Sequence, residues 1–182
     1  NKEIDYSIVN PSKLPVDLQF EICQRCHLQG NTVLNEGKSF YDFKPGMRLS
    51  EVMNVFVPKY KKTDNEYIMA SHVERLKMSP CFIVTKEKLE KEKVKITDKL
   101  RPYKGAMTCV TCHNPHVSVK VTGKETYNNA CRNCHNTNEK VFCSRDKKLK
   151  IEQIMSGDCI SCHMKKSGTI DIPHVVTTDH FI

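Results

Sequence analysis

The sequence predicts a mainly α-helical chain with extensive irregular loops. Three observations lead there: apolar residues are scarce, alternating apolar and polar stretches are rare, and cysteine pairs recur in short segments that suit a single helical turn. Hydrophobic residues make up 38% of the 182, with no Trp, and the mean hydropathy is -0.51. That is thin for a conventional core in a chain of this length. Something other than side chains is therefore expected to fill part of the interior. Val117, Val119 and Val121 offer one short strand at most.

Taken in order, a first helix is expected over about residues 15–28, with Pro15 early and Gly30 just past its end. A second is expected over about 50–57, with Ser50 as N-cap. A third runs from about Asp64, as cap, to Met78, and stops before Ser79-Pro80. Short helices are expected at about 126–135 and 158–164. Thr85–Lys104 is dominated by Lys and Glu and reads as a solvated helix, an insertion or a linker. The whole of 1–182 is expected to form one domain.

The ten cysteines are arranged. Cys23-Gln24-Arg25-Cys26-His27, Cys109-Val110-Thr111-Cys112-His113, Cys131-Arg132-Asn133-Cys134-His135 and Cys159-Ile160-Ser161-Cys162-His163 each spell C-x-x-C-H. The last three crowd together, and the first stands far upstream. Zinc ribbons also use C-x-x-C pairs but need no His after each second Cys. Thioredoxin-like redox pairs occur beside a βαβ unit, which this sequence lacks. His is 8 of 182 residues, so its placement after all four pairs by accident has a probability on the order of a few in a million. The pattern points to covalent haem attachment. Both thiols add to haem vinyl groups and the adjacent imidazole takes the iron from one face. Four haem c groups per chain are expected, packed as an array that supplies the missing interior.

Proximal ligation uses His27, His113, His135 and His163, which leaves His72, His116, His174 and His180 for the four opposite positions. If all four serve, every iron carries two imidazoles. His116 lies too close to His113 to reach the far face of the same haem, so it would serve a neighbouring one. His174 and His180 sit in a Pro-containing tail and could serve two different irons. His72 shares a helix face with Met69 and Leu76. Thioether ligation by Met47, Met53, Met69, Met78, Met107, Met155 or Met164 is the competing sixth bond, and it would raise the potential. An ordinary surface or core role is the alternative for each of the four histidines.

Further stretches carry a family resemblance. The tail Cys159–Ile182, reading C-I-S-C-H-M-K-K-S-G-T-I-D-I-P-H-V-V-T-T-D-H-F-I, resembles an ending found in multihaem c-type cytochromes of Gram-negative bacteria. So do Asp42-Phe43-Lys44-Pro45-Gly46-Met47 with Leu49, Ser71-His72-Val73-Glu74-Arg75 with Ser79 and Cys81, and Thr108-Cys109 through Asn114-Pro115-His116. The chain is similar, from about residue 20 onward, to the nitrifier tetrahaem cytochromes, a family often joined to tetratricopeptide repeats. The resemblance implies a periplasmic or extracellular, exported electron carrier with His72, His116, His174 and His180 as distal ligands. Family members often carry a further C-x-x-C-H upstream and continue beyond the Asp-His-x-Ile ending. Residue 1 is Asn rather than Met, so a removed leader or a piece of a longer polypeptide is expected.

Cys81 and Cys143 fall outside the motifs. Haem c is attached outside the cytoplasm, where disulfides also persist, so these two are expected to pair, with two thiols as the alternative. Closing that loop would contribute about 4 kcal/mol in the chain-entropy model.

The formal charge is +8, but no nucleic-acid reader motif is present, and eight haem propionates would offset much of the excess. No apolar run is long enough for a transmembrane helix. Lys86, Lys88, Lys91, Lys93, Lys95, Lys99, Arg101 and Lys104 form a basic run. It fits either a solvated face or a docking surface for an acidic redox partner. Function is read as electron transfer. The alternatives are a self-associating subunit of an extracellular haem filament, or a multihaem oxidoreductase with one open iron for nitrogen-oxide or hydroxylamine chemistry. No C-x-x-C-K motif occurs, so no catalytic residue is assigned.

Overall fold

The computed structural model describes residues 8–28, 30–57, 71–91, 106–135 and 158–182. The chain is partly helical, with extensive loops and two short β ladders. It divides into two compact units, one formed by residues up to Cys109 together with Lys166–Ile182, the other by Val110–Lys165.

The first unit is held by ordinary side-chain packing. Helix α1 spans Val16–His27. Pro15 precedes it with φ -48°, a preset angle that suits a helix start. Leu28 ends the helix in extended conformation. Gly30 follows where a Cβ would meet the Phe56 carbonyl oxygen at 2.5 Å, so only glycine lets the chain leave α1 at this point. Strand β1, Asn31–Leu34, then pairs antiparallel with β2, Met53–Phe56, in the register Asn31–Phe56 through Leu34–Met53.

The helix expected over 50–57 does not form. A 3-10 turn occupies Leu49–Glu51 and β2 follows it. Met53 and Val55 point inward while Asn54 and Phe56 face out. That two-residue alternation, backed by ladder bonds to β1, outweighs the helical spacing of Val52 and Phe56. Ser50 therefore caps no helix. Leu49, Val52 and Met53 form a small buried cluster with Leu34, Phe43, Met47 and Val55 against it.

Helix α2 spans His72–Met78 and α3 spans Pro80–Lys91. The expected stop at Ser79-Pro80 is present. Ser79 takes ψ 142°, as a residue before proline must, and its hydroxyl accepts the Phe82 N–H at 3.2 Å. The proposed start of that helix at Asp64, with Met69, lies outside the described residues. So does the basic run beyond Lys91, while Lys86, Lys88 and Lys91 lie in α3. Val16, Phe20, Val73, Leu76 and Phe82 form the main apolar cluster, with Ala106, Met107, Cys109 and Ile182 packed on it. Phe20 and Phe82 meet with ring centroids 5.7 Å apart. Strands β3, Lys166–Gly168, and β4, Val176–Thr178, form a second antiparallel ladder in the tail.

The second unit contains α4, Cys109–Cys112, which begins at its boundary, then α5, Lys124–His135, and α6, Cys159–His163. Both expected short helices are present here, the first starting two residues earlier than predicted. Val117, Val119 and Val121 do not form a strand. Turns closed by Val117 N–H to Asn114 O and Val121 N–H to Ser118 O run through them, both at 3.0 Å, and all three side chains are exposed. With no neighbouring strand among the described residues to satisfy a ladder, local turn bonds win. Asn128 is the one buried side chain of this unit among the described residues.

Candidate functional site

All four C-x-x-C-H motifs sit on a helical turn. His27, His135 and His163 are the last residues of α1, α5 and α6, and His113 directly follows α4. Three- and four-residue spacing puts each pair of thiols and its histidine along one helix face. Cys26, Cys134 and Cys162 are exposed and the remaining motif cysteines are partly so. Reactive sulfurs are thus accessible at every motif.

The first motif is anchored through the residues between its cysteines. Gln24 donates to Glu74 of α2 at 2.7 Å. Arg25 donates to the Phe40 carbonyl at 3.1 Å and lies 5.1 Å from the Phe40 ring centroid. The Cys23 thiol hydrogen-bonds with Cys109, which lowers its pKa to about 7 against the opposing effect of burial. A larger thiolate fraction at neutral pH makes it the better nucleophile. The contact also brings the leading cysteines of the first two motifs together. Cys109 reaches that place because the Met107 N–H donates to Thr85 Oγ1 of α3 at 3.1 Å.

Three predicted ligands converge in the first unit. His27 and His72 have ring centroids 5.9 Å apart, and His72 and His180 are 4.6 Å apart. A metal–imidazole bond is about 2 Å, which puts the ring centres of two imidazoles on opposite sides of one metal about 6 Å apart. The His27–His72 spacing matches the distance such a pair would have. The two rings are tilted by 51° to one another.

His180 is oriented by its own backbone. Its Nδ1 donates to the Thr178 carbonyl at 3.0 Å, which selects the tautomer whose Nε2 lone pair is the metal-binding one. Burial would raise the pKa of the neighbouring Asp179. The Arg75 hydrogen bond, the Phe181 N–H and the nearby positive charges outweigh it and hold the carboxyl below the usual range.

The other two predicted distal ligands are His116, in the second unit, and His174, in the tail of the first. His116 is exposed, in a turn where its N–H donates to Asn114 Oδ1 at 3.0 Å. His174 is exposed between β3 and β4 at φ 64°, a left-handed conformation uncommon for a residue with a Cβ. Met47 and Met53 belong to the smaller apolar cluster. Met155 and Cys143 lie outside the described residues, so the Cys81–Cys143 pairing is not located. Among the described residues no group of three or more His, Cys, Asp or Glu side chains gathers as a tetrahedral metal site would require.

In the second unit His113 packs edge-on against Tyr127 at 5.4 Å between centroids. Asn128 Oδ1 accepts the Cys159 N–H at 3.0 Å, linking the helix of the third motif to the first residue of the fourth. Sequence reading missed Asn128, Gln24 and Thr178. Their only sequence signal is nearness to a motif or a histidine.

A family model described as a doubled CXXCH motif matches residues 101–140, which hold the second and third motifs. The match supports a c-type cytochrome-like reading of that segment. The doubled motif points to covalently bound haem c. Neither the curated proteins nor the solved structures yield a match. Among the described residues, no helix is long and apolar enough to cross a membrane.

Proposed function

We propose that the protein is a tetrahaem electron carrier, exported from the cytoplasm, with all four irons closed by two imidazoles. The approach of the His72 ring to that of His27, 5.9 Å between centroids, is the observation that supports this reading. Haem iron, when bound, supplies a one-electron redox centre of tunable potential. The chain's residues do the rest. Cys23 and Cys26, Cys109 and Cys112, Cys131 and Cys134, and Cys159 and Cys162 hold the four groups covalently. His27, His113, His135 and His163 take one face, and His72, His116, His174 and His180 take the other.

Adjacent leading cysteines in the first two motifs support close placement of two redox centres, as stepwise electron transfer requires. The family resemblance of the tail supports the periplasm or cell exterior as the compartment. Lys86 and Lys88, exposed on α3, support a basic docking face for an acidic redox partner.

The intact mass should exceed that of the polypeptide by four haem groups, and the ferrous protein should be low-spin and bind little carbon monoxide. Two or fewer haems would overturn the count. Stoichiometric carbon monoxide binding would replace the carrier with an oxidoreductase that keeps one iron open.

A further inference from the structure

An ion pair joins the tail bearing His180 to the helix bearing His72. Arg75, one turn after His72, donates through Nε and an Nη to both carboxylate oxygens of Asp179 at 2.8 and 2.5 Å. Each side chain is only 15% exposed. A two-pronged guanidinium–carboxylate bond fixes angle as well as distance. The same carboxylate accepts the Phe181 N–H at 3.0 Å, and the Arg75 guanidinium sits 5.1 Å from the Phe181 ring centroid. The residues on both sides of His180 are therefore held by Arg75, and the His180 ring is held by Thr178.

We propose that Arg75 and Asp179 are positioning residues that present His180 to iron. The inference rests on the reading of His180 as an axial ligand. Neither residue touches the metal. The pair sets where the backbone of His180 lies, and the Thr178 carbonyl sets which nitrogen faces outward. Outer partners of this kind commonly change metal affinity by about 10- to 100-fold. A clamp of this strength separates a permanently closed iron from one whose sixth ligand dissociates. A mere staple for the tail would need no two-pronged bond beside the ligand, and its loss would lower stability without changing any haem spectrum.

The test uses the full haem-loaded protein in four forms: native, His180→Ala, Asp179→Ala, and the charge exchange R75D with D179R. Carbon monoxide titration of the ferrous protein and the low-spin absorption signature are read, with the haem count by mass as control. His180→Ala should open one haem per chain. Asp179→Ala should open the same haem, with a sixth bond about 10- to 100-fold weaker, and the exchange should close it again.

If His180→Ala opens one haem and Asp179→Ala opens none, the clamp is overturned and the ligand assignment stands. If His180→Ala opens none, the ligand assignment fails and the inference falls with it. Should Asp179→Ala not mature, Asp179→Asn keeps the shape and the Phe181 contact while removing the charge. A fully closed set of haems in that variant overturns the proposal equally.

Discussion

The two units solve the same problem with different materials. Every buried apolar side chain among the described residues belongs to the first unit: Val16, Phe20, Leu49, Val52, Met53, Val73, Leu76 and Phe82. The second unit's described residues bury a polar one, Asn128, yet this unit holds the third and fourth motifs and most of the second. In the first unit, α1, α2 and α3 meet through Phe20, Leu76 and Phe82, and the haem motif hangs on a scaffold that is already packed. In the second, short helices carry motifs with little apolar surface turned inward. A covalently held haem would supply such a segment with a core, much as a structural metal supplies folding free energy to small domains. The difference teaches that C-x-x-C-H can be an attachment on a fold or the means of folding.

Withholding haem should separate the two units most sharply. In apoprotein made without haem attachment, amide exchange should stay slow in α1 and α2 and become fast throughout α5 and α6. Equal protection in both would mean that the second unit has a sufficient core of its own.

Single substitutions sharpen the contrast at smaller scale. Phe20→Ala should cost about 3–5 kcal/mol, because Phe20 is fully buried against Phe82, and the loss should appear in α1 and α2. Asn128→Ala should cost about 1–3 kcal/mol by leaving the Cys159 N–H without its acceptor, and the loss should appear around α6. Denaturation followed by exchange at those helices checks both. Damage spread evenly over the chain would deny that the units are separate.

The smallest effect concerns the surface. Reversing Lys86 and Lys88 to Glu should leave the melting temperature within about a degree, since surface changes are usually neutral. It should slow reduction by an acidic donor at low ionic strength, with the difference vanishing at high salt. Rates insensitive to salt would return this run to an ordinary solvated face.

Much of the site was legible before any fold was known. The four motifs on their helical turns and the end of α2 before Pro80 follow from local chemistry, in which covalent attachment needs a fixed spacing and proline disfavours a preceding helical residue. The segments misread were those whose conformation depends on distant partners. Met53–Phe56 is extended because Asn31–Leu34 lies beside it, and Val117–Val121 turns because no strand among the described residues does the same for it. Neither fact is written in four or five residues.

The sequence by itself determined the spacing of the candidate haem-attachment groups, the thiols and imidazoles of Cys23–His27, Cys109–His113, Cys131–His135 and Cys159–His163. Tertiary structure alone decided which distant groups meet. His72 comes within 5.9 Å of His27 because Gln24 bonds Glu74 and the Phe20 cluster seats α2 on α1. His180 comes beside His72 because Arg75 holds Asp179 across most of the chain's length. Covalent spacing is a property of neighbours along the chain. Convergence of ligands is a property of packing, which rewards contacts only after loop closure has brought the segments together.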